Sequence, residues 1–136
     1  MSTLPDDVRA LFAAPNFAHL ATLLPDGSPH SVAVWADVEG DCVFFFTQPQ
    51  TRKARNLVRD GRVALSAVDR ANPYRTAHVR GRIAERVEGE DALALIDRLA
   101  LKYTGEPFPM RSGTVYLVAV ERAGSMTLPF REQRGV

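Results

Sequence analysis

In 136 residues the chain has one cysteine, one tryptophan and three histidines, and its basic residues exceed its acidic ones by a single charge. Each scarcity excludes something. Cys42 alone cannot form an internal disulfide and has no ligand partners for a structural metal. His19, His30 and His78 do not fall at metal-binding spacings, and no nucleophile-plus-base constellation accompanies them. Neither a metal site nor nucleophilic catalysis is expected. A net charge of +1 lacks the basic excess of a nucleic-acid-binding protein. No apolar run approaches the roughly 20 residues that a membrane helix needs. Met1-Ser2-Thr3-Leu4-Pro5-Asp6-Asp7 lacks the basic-then-apolar order of a signal peptide, so the expected location is cytoplasmic, with no membrane partner.

What remains is a globular composition, 46% hydrophobic and 24% charged, on a length that suits one domain covering residues 1–136. The most informative stretch runs from Phe44 to Leu57. Three consecutive aromatics, Phe44-Phe45-Phe46, favour a strand, and Pro49 ends it. Thr51 then stands where a helix N-cap would be, with Ala54, Leu57 and Val58 at helical spacing and Gly61 closing the segment. Thr51, Arg52 and Lys53 bring a hydroxyl, two cationic side chains and the unpaired N–H groups of a first helical turn together, a combination suited to phosphate. On composition alone such a basic helix start is more often a solvated face. Strand alternation puts Phe44 and Phe46 on one side and Phe45 on the other, so part of this run is core.

In chain order, Asp6 and Asp7 open a short amphipathic helix that Pro15 stops. Residues 17–24 and 30–35 read as strands joined by the turn Pro25-Asp26-Gly27-Ser28, and Glu39-Gly40-Asp41 leads into residues 42–47, which predicts a three-strand meander. Strands are also predicted at 62–68 and 74–87, the latter bent near Gly81, then a long helix opened by Glu88-Gly89-Glu90-Asp91 and closed by Gly105, then a strand at 114–120. The sum is mainly β with peripheral helices, six strands forming a small antiparallel barrel. The apolar strands Cys42 to Phe46 and Val115 to Val120 exceed what one small sheet covers, which predicts a homodimer.

The order Ala21-Thr22-Leu23, Pro25-Asp26-Gly27-Ser28-Pro29, Val34-Trp35, Phe46-Thr47, Thr51-Arg52-Lys53, Asn56-Leu57, Arg62-Val63, Asn72-Pro73-Tyr74-Arg75, Val79-Arg80-Gly81 and Tyr103-Thr104-Gly105 resembles the pyridoxamine 5′-phosphate oxidase-like superfamily. More narrowly it is similar to the coenzyme F420-dependent branch. The resemblance implies a split β-barrel, a homodimer and two flavin-type cofactor sites at the subunit interface. Thr51, Arg52 and Lys53 match the family's phosphate site, and Phe46 and Thr47 match the strand end beside the ring system, with Asn56 in the same helix. Val34 and Trp35 fall where the family presents a strand to the flavin ring, and His30 falls near the place of a phosphate-binding Arg. Tyr74 and Arg75 resemble the segment that reaches the opposite subunit's cofactor. Pyridoxamine oxidases carry a C-terminal Trp and an Arg-Leu-x-Pro motif, whereas this chain offers Thr127-Leu128-Pro129-Phe130, so vitamin B6 oxidation is not expected.

The cofactor expected to carry a hydride to a small organic acceptor is therefore deazaflavin F420, with FMN as the alternative. Arg52, Arg55 and Arg59 share a helix face on which they would screen the acidic F420 tail. A non-catalytic flavin or haem carrier and an OB-like single-strand nucleic-acid binder are the competing readings, the second disfavoured by charge. Trp35, taken alone, is better explained by packing than by recognition unless its indole N–H finds a partner.

Overall fold

The computed structural model describes residues 3–130. Its elements in order are α1 (Asp6–Ala13), β1 (Ala18–Leu23), β2 (Pro29–Val34), β3 (Asp37–Glu39), β4 (Cys42–Thr47), α2 (Arg52–Arg59), β5 (Arg62–Val68), β6 (Arg75–Val87), α3 (Gly89–Thr104) and β7 (Thr114–Thr127). The strands form one antiparallel sheet in the order β2-β1-β5-β6-β7-β4-β3. The predicted class holds, but the sheet has seven strands where six were expected, and it is open.

The expected meander does not form. β2 pairs only with β1, while β4 pairs with β3 and, along its whole length, with β7, so consecutive β2 and β3 lie at opposite edges of the sheet. Only Trp35 and Ala36 separate those edges. Three peptide steps reach at most about 11 Å, so the sheet must curl until its two edges nearly meet. The barrel is thus split along a seam, and Trp35 sits in it. The C-terminal turn of α3 holds this seam. Tyr103 OH donates to the Asn16 carbonyl at 2.5 Å and accepts from the Ala36 N–H at 3.2 Å. Lys102 Nζ donates to the carbonyls of Phe12 and Ala36 and lies 3.5 Å from the Asp37 carboxylate.

Alternation sorts the three phenylalanines of β4 as expected. Phe45 enters the main core inside the barrel with Val8, Phe12, Leu20, Leu65 and Val79, whereas Phe44 packs under α3 with Ile96, Leu99 and Val115. α3 therefore covers the apolar outer side of β4 and β7 within the chain. That corrects the expectation that these runs require a partner. In β6 the predicted bend is present: the register against β7 shifts between Arg80 and Gly81 and again between Ile83 and Glu85. A Cβ on Gly81 would stand 2.0 Å from the Ala119 carbonyl oxygen, so only glycine allows the two backbones to approach this closely.

Candidate functional site

Beside the seam lies an open groove of about 320 Å³, lined by Phe17, Ala33, Val34, Trp35, Phe46, Lys53 and Phe108. Its wall is aromatic. Trp35 stacks on Tyr103 with centroids 5.3 Å apart and rings 7° from parallel, and Tyr103 in turn stacks on Phe17 at 5.6 Å. Phe108 presents its edge to Trp35 at 6.3 Å and to Phe46 at 5.0 Å. The Tyr103 ring is fixed by its two hydroxyl hydrogen bonds, and burial raises its phenol pKa, so it stays neutral and acts as a backing plate for Trp35.

At the other end of the groove α2 begins. Thr51 caps it, accepting from the Ala54 N–H at 3.3 Å, while its hydroxyl also lies 3.0 Å from the Gln48 carbonyl and 2.8 Å from Thr47 Oγ1. The helix start that the sequence predicts is thus built, but the Thr51 hydroxyl is engaged in forming it. Among the described residues the backbone N–H groups of Arg52 and Lys53 take no intramolecular partner, and Lys53 Nζ forms no hydrogen bond or ion pair. Lys53 is partly buried in the groove, and desolvation lowers its pKa, because a cation removed from water without a counter-charge is disfavoured. An anion placed here meets an unpaired ammonium, two open amides and the positive end of a helix.

Of the eleven residues singled out in the sequence, Val34, Trp35, Phe46 and Lys53 line the groove, and Arg52 lies at its helical end. Asn56 does not. It is fully buried, donates to Thr22 Oγ1 on β1 and accepts from Arg52 Nε, so it anchors α2 to the sheet and cannot touch a ligand. Thr47 is likewise buried, 4% exposed, and bonded to Thr51. His30 points from β2 to the inner side of the sheet, where its Nδ1 is buried with no hydrogen-bond partner, and it does not line the groove. Tyr74 packs against Phe130, Arg75 lies 3.5 Å from the Asp69 carboxylate, and neither lines this groove. Arg59 donates to the Leu23 carbonyl, so it faces β1 and not a cofactor tail.

Three lining residues escaped the sequence reading: Phe17, Ala33 and Phe108. Phe17 was read only as the start of a strand. Phe108 lies in an irregular loop where no periodicity marks an inward residue, although it is the one aromatic between Gly105 and Gly113.

The family model described as pyridoxamine 5′-phosphate oxidase matches residues 4–126, which is nearly the whole described chain. The chain belongs to this family. Among solved structures, an F420 reductase is similar at 30% identity over 89% of this chain and 98% of that one, with a TM-score of 0.78. A conserved hypothetical protein from Mycobacterium tuberculosis matches at 24% identity, covering 99% and 94% of the two chains, with a TM-score of 0.79. An FMN-binding protein from Syntrophomonas wolfei is 13% identical over 90% and 86%, with a TM-score of 0.66, and shares the fold. No curated protein sequence matches. In a pyridoxamine 5′-phosphate oxidase family member, the aromatic seam and the open start of α2 together make a surface suited to a flat ring carrying a phosphate. No group of three or more His, Cys, Asp or Glu among the described residues could hold a metal.

Proposed function

We propose that this protein is an oxidoreductase that binds deazaflavin F420 and passes a hydride between it and a small organic acceptor. The single observation that carries the reading is Lys53: a partly desolvated ammonium with no partner among the described residues, beside two open amides, at the end of an aromatic groove. The similarity to an F420 reductase over nearly all of both chains favours the deazaflavin. Arg52, Lys53 and the first amides of α2 would hold the phosphate, and Val34, Trp35 and Phe46 would border the ring. The bound cofactor supplies the hydride chemistry, which explains why the chain needs no acid–base dyad of its own. The protein's work is to orient the ring, exclude water from one face and neutralise the phosphate.

The site is open on one side in the single chain, and a second copy would complete it, with Tyr74 and Arg75 reaching toward the partner's cofactor. FMN is the second reading, supported by the shared fold with an FMN-binding protein and by a helix start that meets any phosphate equally well. The two separate in a titration under one buffer. F420 is expected to bind at least as tightly as FMN and to lose affinity with added salt, because its acidic tail extends past the groove toward exposed Arg55. Tight FMN binding with none for F420 would leave the FMN reading standing. Binding without turnover of reduced cofactor against any acceptor would instead make the protein a carrier.

A further inference from the structure

The loop between α3 and β7, residues 105–113, carries Phe108 to the groove, and one carboxylate fixes it there. Asp97, on α3, accepts from the Phe108 backbone N–H at 3.2 Å through Oδ1. The same carboxylate takes the Arg111 guanidinium as a fork, Oδ1 at 2.9 Å and Oδ2 at 3.0 Å. Arg111 Nη1 closes the ring by donating to the Phe108 carbonyl at 2.9 Å. Among the described residues the only other side-chain ties from the loop's far end are the two hydrogen bonds between Gln48 and Ser112. Both backbone polar groups of Phe108 are therefore satisfied by the Asp97–Arg111 pair, while its side chain meets Trp35 and Phe46 edge-on and is a wall of the groove. The neighbouring Met110 is exposed and Pro109 faces solvent, so nothing else aims an apolar side chain from this loop inward. A bidentate guanidinium–carboxylate pair fixes direction as well as distance.

We propose that Phe108 is a specificity-determining residue that sets the width of ring the groove accepts, and that Asp97 and Arg111 are positioning residues that act through it. The inference rests on the reading of the groove as the ligand site, but its first test does not. Trp35 is the sole tryptophan, so its emission reports its cover directly. In the unliganded protein, acrylamide quenching of Trp35 is expected to rise in Phe108→Ala and also in Asp97→Asn, with a smaller rise in Arg111→Met, while far-ultraviolet circular dichroism is unchanged. A second test uses two probes that share a phosphate and differ in ring width, FMN and phenyl phosphate. The ratio of their dissociation constants is expected to shift by about threefold or more in Asp97→Asn, the scale that an exposed ion pair supports. Quenching that rises in Phe108→Ala but not in either partner variant would overturn the positioning roles. Equal weakening of both probes would overturn the specificity role of Phe108. If the wild-type protein bound neither probe and did not bind F420 either, the proposed function would fall and the specificity role of Phe108 with it, while the quenching series would still decide the positioning roles.

Discussion

Lys53 illustrates how one side chain can be both an oddity of folding and a reason for binding. Burial without a partner lowers its pKa, so in the unliganded protein the charged form is disfavoured relative to the unfolded chain. A phosphate at the start of α2 reverses this by giving the ammonium a counter-charge. Its pKa is then higher in the complex than in the free protein, so binding takes up protons where the two differ. The sign follows: affinity is full below the free protein's Lys53 pKa and declines as pH rises through the value in the complex. Charge-assisted hydrogen bonds contribute about 1.5–3 kcal/mol, so Lys53→Ala should weaken cofactor binding by roughly tenfold to a hundredfold. It should also abolish the alkaline loss of affinity. Calorimetry across the alkaline range reads both, and unchanged affinity in the variant would remove Lys53 from the site. Thr51 belongs beside it for a different reason, since its hydroxyl makes the helix start that exposes the amides and does not itself reach outward.

Elements with strong local signals were legible: the cap at Thr51, the left-handed Gly105 that ends α3, and the alternation that divides Phe44 and Phe46 from Phe45. What escaped was set by distant pairing. Asp37–Glu39 is too short for a period-2 pattern to show, and it becomes a strand only because β4 lies alongside it. The strand predicted to end at Val120 continues through Arg122-Ala123-Gly124-Ser125 because the first half of β6 supplies its hydrogen-bond partners. Asn56, grouped with the phosphate site by resemblance, turns to the sheet, because a polar residue on a helix gives no sign of facing inward until Thr22 is placed opposite it. Gly81 was legible, and it carries a prediction at this scale. The Ala119 backbone cannot retreat without disturbing the β6–β7 register. Gly81→Ala should destabilise the protein by about 2 kcal/mol or more, the range of overpacking against rigid structure. Denaturant unfolding that leaves the midpoint unchanged would show that the bulge can slide.

At the scale of the whole molecule the sheet has one side turned to the core and the other to solvent over β2, β1, β5 and β6. Across it run two rows of paired residues, Ser31-Ala21-Ala64-Arg80 and Ala33-His19-Ser66-His78, whose members are exposed or only half-buried. Short side chains leave this face shallow, with a concavity of about 360 Å³ over Ala21, Val63, Ala64 and Gly81. The strands first expected to need a partner, β4 and β7, are covered by α3, so the case for a dimer moves to this other face. A second copy of the chain laid here would bury the small residues and bring a partner's loops toward the seam beside Trp35, where the groove is open. The expected solution mass is twice the protomer's 15.0 kDa. Ala21→Asp places a carboxylate at the middle of the face, between Ser31 and Ala64, where an unpaired buried charge is costly, yet in the free chain the site is already partly solvated and the fold has no reason to suffer. Light scattering should therefore find the variant at half the wild-type mass with its thermal unfolding still cooperative, and cofactor affinity should fall with the dimer if the partner completes the site. A wild-type protein that is monomeric at micromolar concentration would rule out both the dimer and the shared site. A variant that stays dimeric would send the interface to a different face of the barrel.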